Sequence, residues 1–184
     1  MHDQVRYQVR FDWGESGARR ITHGAHVVVV VDELDGHGRV SAAETAQAIA
    51  GTGASGPAVL RATETSAGDA AAVILRLQQD LGERCVVAVV AAGSVDTDGF
   101  RTAVEDQLAA GALVDALAAL GIDFASPEAA AACASWQGLR LATAHLLTAS
   151  TSADRLPDGA DDPRAQRAVH PASVVVLREF SARA

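Results

Sequence analysis

Lysine is absent from the 184 residues, so all 15 positively charged side chains are Arg. That excludes Schiff-base catalysis and a P-loop lysine. Any bound phosphate or carboxylate must be held by Arg, backbone N–H groups or a metal. Aromatic residues make up only 4% of a chain that is 49% hydrophobic, so the core must be built from Val, Leu, Ile and Ala. Positive charge is scarce relative to negative, giving a formal net charge of -8 and a pI near 5.1. With no basic stripe to offset it, this charge argues against DNA or RNA as a partner. Two cysteines, Cys85 and Cys133, fall in an apolar strand and an Ala-rich helix, where they read as small buried apolar residues. The first residues, MHDQVRYQVR, lack the apolar stretch of a signal peptide, and no apolar run is long enough to span a bilayer. The expectation is a cytoplasmic protein without membrane association, its oligomeric state left open.

What is present is a series of valine-rich runs. Val27 to Val31, Cys85 to Ala92 and Val174 to Leu177 are unbroken apolar segments of strand length, the pattern of strands covered on both faces. Val5 to Phe11, which alternates, and Ala58 to Arg61 are further strand candidates. Helical patterns lie between them. Ser41-Ala42-Ala43-Glu44 is a capping-box signature for a helix to about Ala50. Val73, Ile74, Leu77 and Leu81 form one stripe that Gly82 would stop. Ser126-Pro127-Glu128 opens a long helix towards Leu147. A helix from about Phe100 to Leu120 has apolar residues on nearly opposite sides, so it is either sandwiched between layers or broken near Gly111. Thr148 to Pro171 reads as a surface loop with a short helix around Arg164 to Val169. Alternating strands and helices over a length suited to one domain predict a three-layer α/β/α fold with a mostly parallel sheet, spanning residues 1–184.

In parallel α/β sheets, ligands bind beyond the carboxyl ends of the strands. Asp32 directly follows the first valine run, with Asp35 and His37 in the loop after it. Asp96 and Asp98 follow the Cys85 to Ala92 run, and Arg61, Thr63 and Thr65 end the Ala58 strand. Glu105 and Asp106 sit on the next helix, roughly two turns from its expected start, and only one of the two can point squarely into a site. Several carboxylates around one point need a cation or a proton between them, and such oxygen-rich clusters suit Mg²⁺. Plainer readings stand beside these: Asp98 as a helix cap, Glu105 and Asp106 as solvated surface acids. Asp32 is the hardest to read that way, because an acid closing a buried strand is costly unless paired, capped or metal-bound. Gly51-Thr52-Gly53-Ala54-Ser55-Gly56 matches G-x-G-x-x-G but follows a helix and precedes a strand, so it reads as a connecting loop rather than a dinucleotide site. His145 and His170 read as surface or packed helix and turn residues.

Phe11-Asp12-Trp13-Gly14-Glu15-Ser16-Gly17-Ala18, followed by Val27 to Asp32, resembles the start of the 2-phosphosulfolactate phosphatase family. Asp98-Gly99 through Glu105-Asp106 to Gly111-Ala112 is similar to that family's D-G, E-D and A-G-A segment, and Ser173 to Leu177 with Phe180 to its closing strand. The resemblance implies an α/β/α fold and Mg²⁺-dependent hydrolysis of a phosphomonoester of a small acidic molecule. Carried over by motif, Asp32, Asp98, Glu105 and Asp106 become metal-site candidates, with Asp32 and Glu105 as catalytic candidates. Arg61, Thr63 and Arg101, with the Gly36-His37-Gly38 loop, are the candidate substrate contacts. Glu33 to Arg39 stands where the family carries a hydroxyl-rich loop, and the region before Ala58 is shorter. The alternative reading is therefore a catalytically degenerate relative that binds a ligand or partner.

Overall fold

Two of the three valine-rich runs, Val27 to Val31 and Cys85 to Ala92, supply central strands of one sheet with helices on both faces. The third, Val174 to Leu177, expected to be covered on both faces, is an exposed edge strand. The computed structural model describes residues 4–34, 48, 56–157, 162–169 and 173–181. β1 (Val9–Trp13) leads into α1 (Gly14–Ile21), then β2 (Val27–Val31) and β3 (Ala58–Ala62). A 3-10 turn (Glu64–Ser66) opens α2 (Ala67–Leu81), which returns to β4 (Val87–Ala91). A small hairpin, β5 (Ser94–Asp96) and β6 (Gly99–Arg101), precedes α3 (Val104–Ala119), α4 (Pro127–Leu139), α5 (Thr143–Thr148) and α6 (Pro163–Val169); β7 (Val175–Arg178) closes the series. The sheet order is β1-β4-β2-β3-β7; the first four strands are parallel and β7 runs antiparallel to β3.

The unbroken valine strands are explained by burial on both faces. Val28, Ala88 and Val90 face α1, packing on Ala18 and Ile21. Val27, Val29, Val31, Val87 and Val89 face the other way, towards α2, α3 and α4 through Ile74, Leu113 and Ala132. The result is a three-layer α/β/α arrangement. Burying a Val side chain is worth about 1.5–3 kcal/mol, so these two layers supply much of the driving force.

Several boundaries differ from the sequence expectation, each for a local reason. β1 begins at Val9 rather than Val5, because the chain turns at Val5 and Arg6. The Gln4 side-chain amide then brackets Phe11, accepting its N–H at 3.0 Å and donating to its carbonyl at 2.9 Å. Phe100 to Thr102 are not helical; Gly99–Arg101 pair with Ser94–Asp96, and α3 starts at Val104. Of the two readings for that helix, the sandwiched and unbroken one holds. At Gly111 an added Cβ would lie 2.2 Å from the Ala132 carbonyl oxygen, so α3 and α4 cross at backbone contact there. Ser126 caps α4 as expected, accepting the Ala129 N–H at 3.1 Å, but the helix ends at Leu139 and a separate α5 comes next. Gly82 stops α2 in the left-handed conformation, φ 67°. The capping-box helix expected over residues 41–50 lies outside the described residues, apart from helical Ala48. Among the described residues no helix is long and apolar enough to cross a membrane.

Candidate functional site

β2 and β4 are neighbours, and their last shared ladder bond runs from the Ala92 N–H to the Val31 carbonyl at 2.9 Å. Beyond it the two chains part, and the side chain of Asp106 fills the gap. One carboxylate oxygen accepts the Glu33 N–H at 3.0 Å and the other accepts the Gly93 N–H at 2.8 Å. Asp106 is fully buried in the first turn of α3, where the helix dipole favours an acid. Burial pushes its carboxyl well above the ordinary carboxylate range; the charges of Asp32 and Glu105 push the same way, and the two backbone N–H groups pull it back. Glu105 and Asp106 are thus first-turn residues rather than two turns in, and both are buried rather than solvated.

On either side of the β2 and β3 tips lies a cleft. Extended backbone sends successive side chains to opposite sides, and here Asp32 and Thr63 line one cleft while Glu33 and Glu64 line the other. The first cleft is completed by Arg61, Ala62, Ser66, Ser173 and Val175. Asp32, buried at the end of β2, accepts the Leu34 N–H at 3.2 Å. Thr63 and Ser66 form a capping pair at the entry to α2: the Thr63 N–H donates to Ser66 Oγ at 2.9 Å, and the two hydroxyls lie 3.3 Å apart. Arg61 is half-buried and makes no side-chain hydrogen bond or ion pair with any described residue. A guanidinium uncommitted among the described residues, beside two hydroxyls and a helix start, is a donor set for an oxyanion, with the Asp32 carboxylate next to it as an acceptor.

The second cleft is acidic. Glu33, Glu64 and Glu105 border it together with Leu108, Thr143 and Leu147, and the Glu64 N–H donates to Glu33 Oε1. Glu105 is 3% exposed, and neither of its carboxylate oxygens has a hydrogen-bond partner among the described residues. Asp32 and Glu105, expected together, line separate clefts.

The remaining expected site residues are placed elsewhere. Asp98 is exposed at the turn of the β5–β6 hairpin and caps no helix. Arg101 ends β6 and takes no part in lining the Arg61 cleft. Asp96 pairs with Arg155. Asp35, Gly36, His37, Gly38 and His170 lie outside the described residues, as do residues 51–55 of the glycine-rich stretch. Gly56 exchanges two backbone bonds with Ser181 just before β3, at 2.9 and 3.1 Å. His145 is exposed on α5.

The sequence expectation has four acids sharing Mg²⁺, and their geometry does not suit it. Each oxygen of Asp106 accepts a backbone N–H, Asp98 stands at an exposed turn, and Asp32 and Glu105 line separate clefts. Among the described residues no group of three or more His, Cys, Asp or Glu side chains is placed to hold a metal ion. Neither Cys85 nor Cys133 lines either of the two clefts. Both are free thiols; burial pushes Cys85 up to about 12, while burial and then Asp115 raise Cys133.

Much of the sequence motif running from Phe11 to Ala18 and from Asp98 to Ala112 is accounted for by architecture. Gly14 turns β1 into α1 at φ 57°, where an added Cβ would meet the Phe100 ring at 2.7 Å. Asp12 receives a two-pronged bond from Arg20 at 2.8 and 2.9 Å. Asp106 ties two strand ends, and Gly111 permits the α3–α4 crossing. Besides Ala62, three residues of the Arg61 cleft, Ser66, Ser173 and Val175, are not among the site residues expected from sequence. The Thr63-x-x-Ser66 spacing is a capping signal; no local signal marks the other two. No protein-family model matches the chain, and no curated protein matches it.

Proposed function

We propose that the Arg61 cleft binds the phosphoryl group of a small phosphomonoester and hydrolyses it. The observation that carries this reading is the Arg61 guanidinium, uncommitted among the described residues, in a cleft shared with Asp32, Thr63 and Ser66. Arg61 would grip two phosphoryl oxygens, and the hydroxyls with the start of α2 would hold the third. Asp32 would take a proton from an attacking water as the P–O(alkyl) bond breaks on the opposite side and later release it to solvent, while the departing alkoxide takes a proton from solvent, leaving inorganic phosphate and the free alcohol. The resemblance to the 2-phosphosulfolactate phosphatase family supports the reaction class and adds the expectation of an acidic substrate and Mg²⁺. Because the four acids do not fit one Mg²⁺, no step is assigned to it. A small-molecule partner and a cytoplasmic location belong to the same reading; nucleic acid does not.

The test is phosphate release from neutral and acidic small phosphomonoesters, run with Mg²⁺ and with EDTA in parallel. Asp32→Asn should lower kcat by about 100-fold or more. Arg61→Ala should abolish saturation yet leave the unfolding free energy within about 0.5 kcal/mol, since it breaks no bond to a described residue. Undiminished turnover by Arg61→Ala would overturn the reading. A second reading, ligand binding without catalysis, is favoured by one observation: Asp106 is spent on backbone N–H groups, leaving Asp32 as the acid of this cleft among the described residues. Saturable phosphate binding with no release from any ester would establish it.

A further inference from the structure

We infer that Val175, with Ser173 beside it, is the wall that selects the alcohol portion of the ester; this rests on the phosphate reading of the Arg61 cleft. β7 runs against β3, so it brings its beginning to the rim where the parallel strands bring their ends. In the β3–β7 register Val175 is directly opposite Arg61. Opposed residues of an antiparallel pair project to the same face with Cβ atoms roughly 4.5–5.5 Å apart. Val175 therefore stands alongside the stem of Arg61, on the cleft side, and it is 38% exposed.

This position limits which group the phosphate can carry. A phosphoryl group held by Arg61 has Asp32 to one side and Val175 to the other. The side of Asp32 must admit the attacking water, and a carboxylate there repels further negative charge. The ester's carbon atoms are left the side of Val175, an apolar surface otherwise exposed to water, with the Ser173 hydroxyl at its margin. The ligand class is a phosphomonoester whose first carbons are apolar and whose far end carries at most a group that a serine can bond.

The experiment is isothermal titration of inorganic phosphate, methyl phosphate and n-butyl phosphate into the wild-type protein and into Val175→Phe and Val175→Thr. Both substitutions suit an exposed edge strand, so folding is not at stake. The quantity read is the ratio of butyl phosphate to inorganic phosphate affinity. Filling the wall with Phe should lower that ratio about tenfold, and the near-isosteric Thr, which removes apolar contact without changing size, should lower it severalfold. A ratio unchanged in both variants overturns the wall while leaving the phosphate site standing. Failure of the wild-type protein to bind inorganic phosphate or either ester overturns both.

Discussion

The two ends of the sheet each bury a charge, and they do so for the same reason with opposite sign. At the amino end Arg10 is 2% exposed and donates to the carbonyls of Ile21, His23, Val5 and Tyr7, at 2.9, 2.7, 3.0 and 3.2 Å. At the carboxyl end Asp106 accepts two backbone N–H groups where β2 and β4 separate. Each end leaves backbone groups that no ladder or helix bond satisfies, and a charged side chain supplies the partners. What differs is the neighbourhood. Arg10 is surrounded by carbonyls, whereas Asp106 has Asp32 and Glu105 close enough to raise its carboxyl. A buried charge committed to backbone is architecture. At the carboxyl end also stand Glu105, next to Asp106, and Arg61, in the Asp32 cleft, whose side-chain polar groups are uncommitted among the described residues.

The largest effect that would test this contrast is at Arg10. Arg10→Met strands several buried carbonyls and should cost about 3 kcal/mol or more in a urea melt; a loss below about 1 kcal/mol would show that water reaches those carbonyls. Asp106→Asn comes next, at about 2 kcal/mol, because its NH₂ group must face one of two N–H donors. Its pH dependence has a definite sign. A carboxyl raised in the folded state binds its proton more tightly there than in the unfolded chain. The wild-type protein therefore loses stability as pH rises from the ordinary carboxylate range through the raised value. Asp106→Asn lacks this slope, so the gap between the two should narrow as pH rises; a gap that widens would mean that the carboxylate form is the one favoured by folding. The smallest effect is at Glu105. Glu105→Met removes a buried carboxylate whose oxygens lack hydrogen bonds among the described residues, and should stabilise by about 1 kcal/mol. Destabilisation would mean that the acid has a partner in solution.

The central parallel strands are readable because Val27 to Val31 and Val87 to Ala91 carry no polar alternation, as burial on both faces allows. The same pattern in β7 misleads, because its Val175, Val176 and Leu177 are exposed at the sheet edge. Asp32 and Arg61 are readable as rim residues because each closes or nearly closes one of the parallel strands. Asp98 is not, because Asp-Gly serves a hairpin turn as readily as a helix start, and only pairing with Ser94–Asp96 decides between them. The separation of Asp32 from Glu105 is also hidden, since sequence adjacency to the rim does not say which side of a strand tip a side chain takes.

Local chemistry, written in the order of residues, determined that this chain alternates strand and helix, where α2 stops and α4 starts, and that Asp32 closes a buried strand. Tertiary structure alone decided that Asp106 serves two backbones, that Asp32 meets Arg61 instead of Glu105, and that an antiparallel β7 sets Val175 beside them. The reason is that hydrophobic periodicity specifies how each segment folds and which face it buries. Which side chains then share a cleft depends on strand order and direction, and those are set by contacts between segments far apart in the chain.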